Sequence, residues 1–495
     1  MNKKKKVLLV GGIVLLVLVG VLAALLLFSP EEEEGVDSSS SDSTVNLLEK
    51  NINTLTKLTI KNEKDEIVMT QSEDGVFAVE ALKGLPTDQS SVKEVFSAMA
   101  VIDAVKVVSD SPENLEEYGL ADPKTVVEAT QKDGERYSLK IGVKSPLNDG
   151  YYAMLDGDPK LYLVQINPYG YLSTKAGKDY LSKALTSNDE GKEVEELVQK
   201  ITLSREDTGR ELVFEQVEND AEAHYSPMYA SAFVMTSPVK AYVESTYFGD
   251  VADAAVSFDA ASVVGIFPTQ EQLGEYGLLE PTAVYTAFMK DGSQVQVKVG
   301  KACYSDPAAE DEKAGTEITG YYVQLVGRDA VYYARTGQMP FLTTTVFDMI
   351  SQIPFAPNIT QVDTLTISAE GVEYLIDFVQ TETGSDSNSV EVTGTVNGKE
   401  VDKDKLANFY IYVVSALANE LYTETPAGSP ILTLTFRFND ASLSPLTVAF
   451  HDVGDRKASI TVNGQTRFAT RMAYVTAFFE NVKAIAANQA INPNY

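Results

Sequence analysis

Ser90 and Lys93 stand three positions apart, the spacing at which a lysine one helical turn on can take the proton of a serine nucleophile. Such sites need further partners, and neither Ser-Asp-Asn nor Lys-Thr-Gly occurs in the chain. The pair falls in a serine-rich helix start, which accounts for it without chemistry. His224 and His451 are the only histidines, and neither has a second His or Cys at ligand spacing, so no zinc site is predicted. Cys303 is alone, which excludes an intramolecular disulfide and leaves no nearby His to activate it. Carboxylates gather in Ser305-Asp306-Pro307-Ala308-Ala309-Glu310-Asp311-Glu312-Lys313 and in Asp156-Gly157-Asp158. Outside a cell these could hold weak calcium, but neither follows EF-hand spacing, and a solvated acidic loop is the reading taken. No Gly-x-Ser-x-Gly, phosphate loop or dinucleotide fingerprint is present. The residues therefore name no catalytic side chain, no cofactor and no metal, and the chain is expected not to be an enzyme.

What the sequence does repeat is a turn. Leu115-Glu116-Glu117-Tyr118-Gly119-Leu120-Ala121-Asp122-Pro123 returns as Leu273-Gly274-Glu275-Tyr276-Gly277-Leu278-Leu279-Glu280-Pro281, 158 positions later. Lys132-Asp133-Gly134 then answers to Lys290-Asp291-Gly292, and Lys140-Ile141-Gly142 to Lys298-Val299-Gly300. Tyr151-Tyr152 and Leu161-Tyr162 match Tyr321-Tyr322 and Val331-Tyr332 at a shift of 170, which places an insertion near Asp306 to Glu317. Tyr118, Gly119, Leu120 and Pro123, with Tyr276, Gly277, Leu278 and Pro281, are the candidate site residues. A structural role is expected for them: Gly supplies a positive φ, Tyr packs its ring and bonds its hydroxyl to backbone, and Pro ends the segment. A binding role for the tyrosines is the alternative. Within Tyr151-Tyr152, Tyr321-Tyr322 and Tyr332-Tyr333, strand alternation predicts one ring in the core and one outside.

These residues resemble the domain-of-unknown-function family DUF4340 over roughly residues 45 to 350, once per copy. The resemblance implies a bacterial, membrane-anchored extracytoplasmic protein whose genes often neighbour ABC-type transporters like the gliding-motility export system. It implies ABC-transporter membrane subunits as partners, and it carries over no catalytic residue.

Composition sets the limits around these segments. The chain has 495 residues, is 44% hydrophobic and carries a formal charge of −31. That length allows about three domains, and the charge argues against nucleic acid or an anionic membrane face as partner. Residues 1–6 contain Lys3 to Lys6 and read as a cytoplasmic tail. Val7 to Phe28 holds no charge, and as a helix these 22 residues would span about 33 Å at ~1.5 Å each, enough to cross a bilayer. Lysines before it and Glu31 to Glu34 after it predict a single-pass anchor at the cell membrane, with the bulk of the chain outside. The run exceeds a signal-peptide core, and no Ala-x-Ala precedes Ser29-Pro30, so an uncleaved anchor is preferred. Residues 29–44 are an acidic, Ser-rich linker.

The rest is expected to be α+β, in tandem repeated domains at 45–185 and 186–357, each a helix packed on a mostly antiparallel sheet. In the first, Val92, Val95, Phe96, Met99 and Ile102 fall at helical spacing behind Asp88 or Ser91. In the second, Ser237-Pro238 reads as a helix start. Residues 358–495 form a diverged repeat or a separate α+β domain, lacking the Tyr-Gly-Leu turn. Its helix is read from Leu406, Phe409, Tyr410, Val413, Val414, Leu417 and Leu421, and Asn463-Gly464 as a hairpin turn. The function expected is an accessory or substrate-binding component of an ABC-type transport system. A structural or adhesive cell-envelope module is the alternative. An envelope-polymer enzyme comes third, since no carboxylate pair stands out among the 71 acids.

Overall fold

The computed structural model describes residues 44–188, 191–217, 221–225, 232–305, 316–382 and 390–494. The apolar run 7–28, linker residues 29–43 and insertion residues 306–315 lie outside these. Among the described residues no helix is long and apolar enough to cross a membrane.

Three nine-stranded sheets follow one another at 45–164, 198–335 and 362–471, with every strand pairing antiparallel. Each unit begins with a meander, three-stranded in the first (Leu55–Lys61, Glu66–Gln71 and Phe77–Val79) and extended by a short fourth strand in the second (Ala241–Tyr242) and third (Lys399–Glu400). A helix follows (Gln89–Ala100), then a strand that goes to the far edge region (Val101–Ser109). A four-stranded meander then fills the middle: Thr125–Gln131, Arg136–Lys144, Tyr151–Leu155 and Leu161–Val164. The second unit repeats this with helix Ser245–Asp253 and edge strand Ser262–Ile266, and the third with helix Lys403–Val413 and edge strand Glu420–Leu421. In all three the first strand of the opening meander lies beside the first strand of the second meander. The third unit thus has the same strand order as the other two, although its connection at 422–431 has no Tyr-Gly-Leu turn. Val45–Glu49 is an extra strand beside Val101–Ser109 in the first unit.

Period-two burial explains the strands. Thr125, Val127, Ala129 and Gln131 are buried while Glu128 between them is exposed, so one face of the sheet meets the helix and the other meets solvent. Leu58, Ile60, Met69, Val92, Phe96 and Met99 close the first core with essentially no exposure. Helix Gln89–Ala100 starts where Asp88 accepts a hydrogen bond from the Ser91 amide at 3.0 Å, which satisfies one of its free amides.

Packing corrects several local expectations. The first helix ends at Ala100, and Ile102 reaches the core from strand Val101–Ser109; a buried residue three after Met99 fits a helix or a strand that turns inward. Ser237 ends strand Phe233–Ser237 and Pro238 follows it, so no helix starts there. The helix begins eight residues later, where the Glu244 carboxylate accepts from the amides of Thr246 at 2.9 Å and Tyr247 at 3.1 Å. The third helix stops at Val413; Leu417 is exposed and Leu421 belongs to strand Glu420–Leu421. His451 lies on strand Leu446–Asp452.

The units are joined by specific contacts. Ala184–Thr186 of the first-to-second connection pairs with Phe258–Asp259. Lys178 donates to the carbonyls of Val263 at 3.0 Å and Val264 at 2.8 Å. Between the second and third units, Arg467 grips both oxygens of Glu222 at 2.8 Å, and Asn463 donates to the Tyr225 hydroxyl at 3.0 Å.

Candidate functional site

The repeated turn docks onto the strand that follows it by one rule, used twice. Leu120 donates to the carbonyl of Leu115 at 2.9 Å, and Leu278 to that of Leu273 at 2.8 Å. Gly119 (φ +67°) and Gly277 (φ +71°) then turn the chain through the left-handed region. The Tyr118 carbonyl accepts from the Val143 amide at 3.0 Å, and the Tyr276 carbonyl from the Lys301 amide at 2.9 Å. Both contacts fall where the strand register breaks, after Ile141 and after Val299. Leu120 and Leu278 are buried, while Pro123 and Pro281 are half-buried just ahead of the next strand.

The tyrosine rings pair with each other instead of seeking backbone. Tyr118 meets Tyr152 edge-on at 4.8 Å between centroids, and Tyr276 meets Tyr322 at 4.6 Å. Neither the Tyr118 nor the Tyr276 hydroxyl hydrogen-bonds another residue among those described, which corrects the expected backbone partner. The in-and-out expectation for tyrosine pairs holds only for Tyr332, which is fully buried, beside half-buried Tyr333. Tyr151 and Tyr152, like Tyr321 and Tyr322, are all half-buried, because the turn covers what would be an outer face.

In the second unit this arrangement borders an open cleft of about 1020 Å³. It crosses the ends of four adjacent strands, with Arg205, Ala283, Lys301, Tyr304, Tyr321 and Tyr322 in its wall. Tyr322 is held by its ring contact with Tyr276. Burial pushes the Cys303 thiol above its ordinary value, with the Tyr322 hydroxyl pulling the other way. Lys301 follows Gly300 and packs against Gly277. Arg205, 5% exposed at its side chain, makes a fork to Asp207 at 2.9 and 2.6 Å and donates to the carbonyls of Phe341 and Thr344 at 2.9 and 2.8 Å. That guanidinium holds Asp207 below the usual carboxylate range.

The strand register puts Asn62 where the second unit has Arg205, and its amide does related work, donating to the carbonyls of Leu172 and Lys175, each at 2.8 Å. Each side chain ties the end of the first strand to the short helix after the last one. Val143 stands in the place of Lys301. The first unit therefore keeps the scaffold and lacks the two cations.

The other residues singled out in the sequence are not brought together. Ser90 donates to the Asp88 carboxylate at 2.6 Å, as part of a helix cap. His224 packs edge-on against Tyr225 and Phe438 and bonds the Ser444 carbonyl at 3.0 Å, across the junction of the second and third units. Asp158 accepts from the Tyr162 hydroxyl at 2.6 Å, and most of the acidic stretch 305–313 lies outside the described residues. Among the described residues no group of three His, Cys, Asp or Glu could hold a metal ion. The sequence did not single out Arg205, Asp207, Lys301 or Tyr304; the one legible signal was the Tyr-Gly-Leu repeat that lies beside them.

No curated protein and no solved structure matches the chain. The family resemblance read from the repeated turn does find its match, as one span that begins in strand Phe77–Val79 and ends on the proline of the second turn. Residues 78–281, less than half of the chain, match the model of the family described as Domain of unknown function (DUF4340).

Proposed function

We propose that this protein is a non-enzymatic, membrane-anchored extracytoplasmic component that binds a ligand or partner for an ABC-type transport system. The observation that carries the binding half is the cleft of the second unit. Its aromatic and charged walls are fixed by neighbouring side chains, and the Thr282 hydroxyl on its rim already donates to the carbonyls of Val299 and Gly300. Such a wall suits recognition, which needs preorganised contacts and no nucleophile. The membrane half rests on Lys3 to Lys6 ahead of the charge-free run Val7 to Phe28.

Protease added to intact protoplasts should then remove nearly the whole mass, and affinity capture of the tagged full-length chain should retain ABC-transporter subunits. A soluble mature form starting near Glu31 would overturn the anchor, and capture without transporter subunits would overturn the partner. The structural or adhesive reading has its own support in the specific contacts that join unit to unit, such as Arg467 with Glu222. It predicts co-purification with wall material instead.

A further inference from the structure

We infer that the cleft of the second unit is a saccharide site for a neutral, pyranose-based oligosaccharide, an inference that rests on the binding role proposed above. Charge is the first argument. Arg205 and Lys301 are offset by Glu206 and Asp207 in the same wall, so the site offers no net attraction for a phosphate, a carboxylate or a cation. That balance is notable in a chain of net charge −31.

The second argument is the surface itself. Tyr304, Tyr321 and Tyr322 line one cleft from two neighbouring strands and are each half-buried. Tyrosine gives a flat apolar ring with a polar tip, at a low cost in side-chain entropy. The positive C–H face of a pyranose stacks on such a ring, while its hydroxyls need both donors and acceptors around the rim. Lys301 supplies donors, and Glu206 and Asp207 supply acceptors.

The third argument concerns rigidity and competitors. Tyr322 is pinned by Tyr276, and Asp207 by Arg205, so the wall is formed before a ligand arrives. A peptide would bind most readily by adding a strand to a free edge. Strands Gln294–Tyr304 and Ile318–Leu325 are paired on both sides, so this wall has no such edge.

The test is titration calorimetry of the full-length chain, held in a detergent without a sugar headgroup, against chitotetraose, cellotetraose and maltotetraose. At least one should bind saturably. Tyr304→Ala should weaken it about tenfold, the effect of losing one aromatic platform, while Tyr304→Phe should keep it. Glu206→Gln removes an exposed acceptor that has no partner among the described residues and should weaken the same probe several-fold, which guards against a Tyr304→Ala chain that folds poorly. No saturable heat from any of the three at millimolar concentration would overturn the proposal. So would equal binding by both variants, or saturable binding of an unstructured decapeptide in their place. Transporter capture that survives a failed titration removes the saccharide and leaves the transport role; binding without capture does the reverse.

Discussion

The carbonyl oxygen of Tyr276 occupies the space into which a Cβ on Gly300 would project, and the Tyr118 carbonyl stands in the same relation to Gly142. The glycine of each Lys-Ile-Gly or Lys-Val-Gly lies inside its strand, Arg136–Lys144 or Gln294–Tyr304, and is paired there with the Tyr-Gly-Leu turn: the turn can dock only where no side chain exists.

Gly142→Ala and Gly300→Ala should each destabilise the chain by about 2–3 kcal/mol or more, because a backbone carbonyl cannot move aside as a flexible side chain can. Gly134→Ala is the control. Unlike the other two it has a positive φ (+87°), yet nothing lies within 4 Å of its added Cβ, so only backbone strain of about 1 kcal/mol is expected. Denaturant midpoints of the three variants check the order. A Gly142 variant no worse than the Gly134 variant would count against the docking argument.

Tyr118→Phe should cost less than about 0.5 kcal/mol, since no hydrogen bond to a described residue is lost. Tyr118→Ala should cost about 1–3 kcal/mol by removing the ring from Tyr152. The same contrast is expected at Tyr276 and Tyr322. Thermal melting reads both. A large loss of melting temperature in Tyr118→Phe would mean that the hydroxyl has a structural partner after all.

At the junction of the second and third units, the side chains of Arg467 and Glu222 are only 6% and 16% exposed. Arg467→Met should destabilise by about 1.5–3 kcal/mol, because the Glu222 carboxylate loses two short charge-assisted bonds and keeps the looser pairing with Lys240 at 3.5 Å. Adding Glu222→Leu should recover most of that loss, since the pair itself repays little more than its own desolvation. A double variant as unstable as the single one would show that the pair contributes net attraction, and a double-mutant cycle by chemical denaturation measures it.

Alkaline pH should unfold the chain through its tyrosines. Burial pushes Tyr137 and Tyr162 up to about 12, and burial also raises Tyr169, Tyr180, Tyr225, Tyr285 and Tyr410. A folded value above the unfolded one, near 10, means that the folded state holds the proton more tightly. The stability this contributes is complete below pH ~10 and is lost as pH rises from about 10 towards 12. Urea midpoints should fall steeply across that window. Tyr137→Phe, which gives up the hydrogen bond to the Met99 carbonyl at 2.6 Å, should be less stable at pH 8 and show a shallower fall. An unchanged slope would sink the assignment.

The recurring turn was legible in the sequence because its markers are local. Gly119 and Gly277 are needed for positive φ, Gly134 and Gly292 for tight turns, and each constraint acts within a few residues, so both copies keep them in register. The Asn463-Gly464 hairpin was legible for the same reason, with both residues at positive φ between strands Lys457–Val462 and Gln465–Arg471. Strand order was not legible. The recurrence of one order in the third unit depends on pairings such as Leu365 with Phe436, which lie far apart in the chain and leave no local signature once the Tyr-Gly-Leu turn is gone. Ile102 and Leu417 show the same limit on a smaller scale, since helical spacing persists in the residues after a helix has ended. The cleft was hidden for the strongest reason. Arg205, Lys301 and Tyr322 become neighbours only when four antiparallel strands bring their ends to one place, and hydrogen bonding between strands, unlike turn chemistry, is decided by the whole sheet.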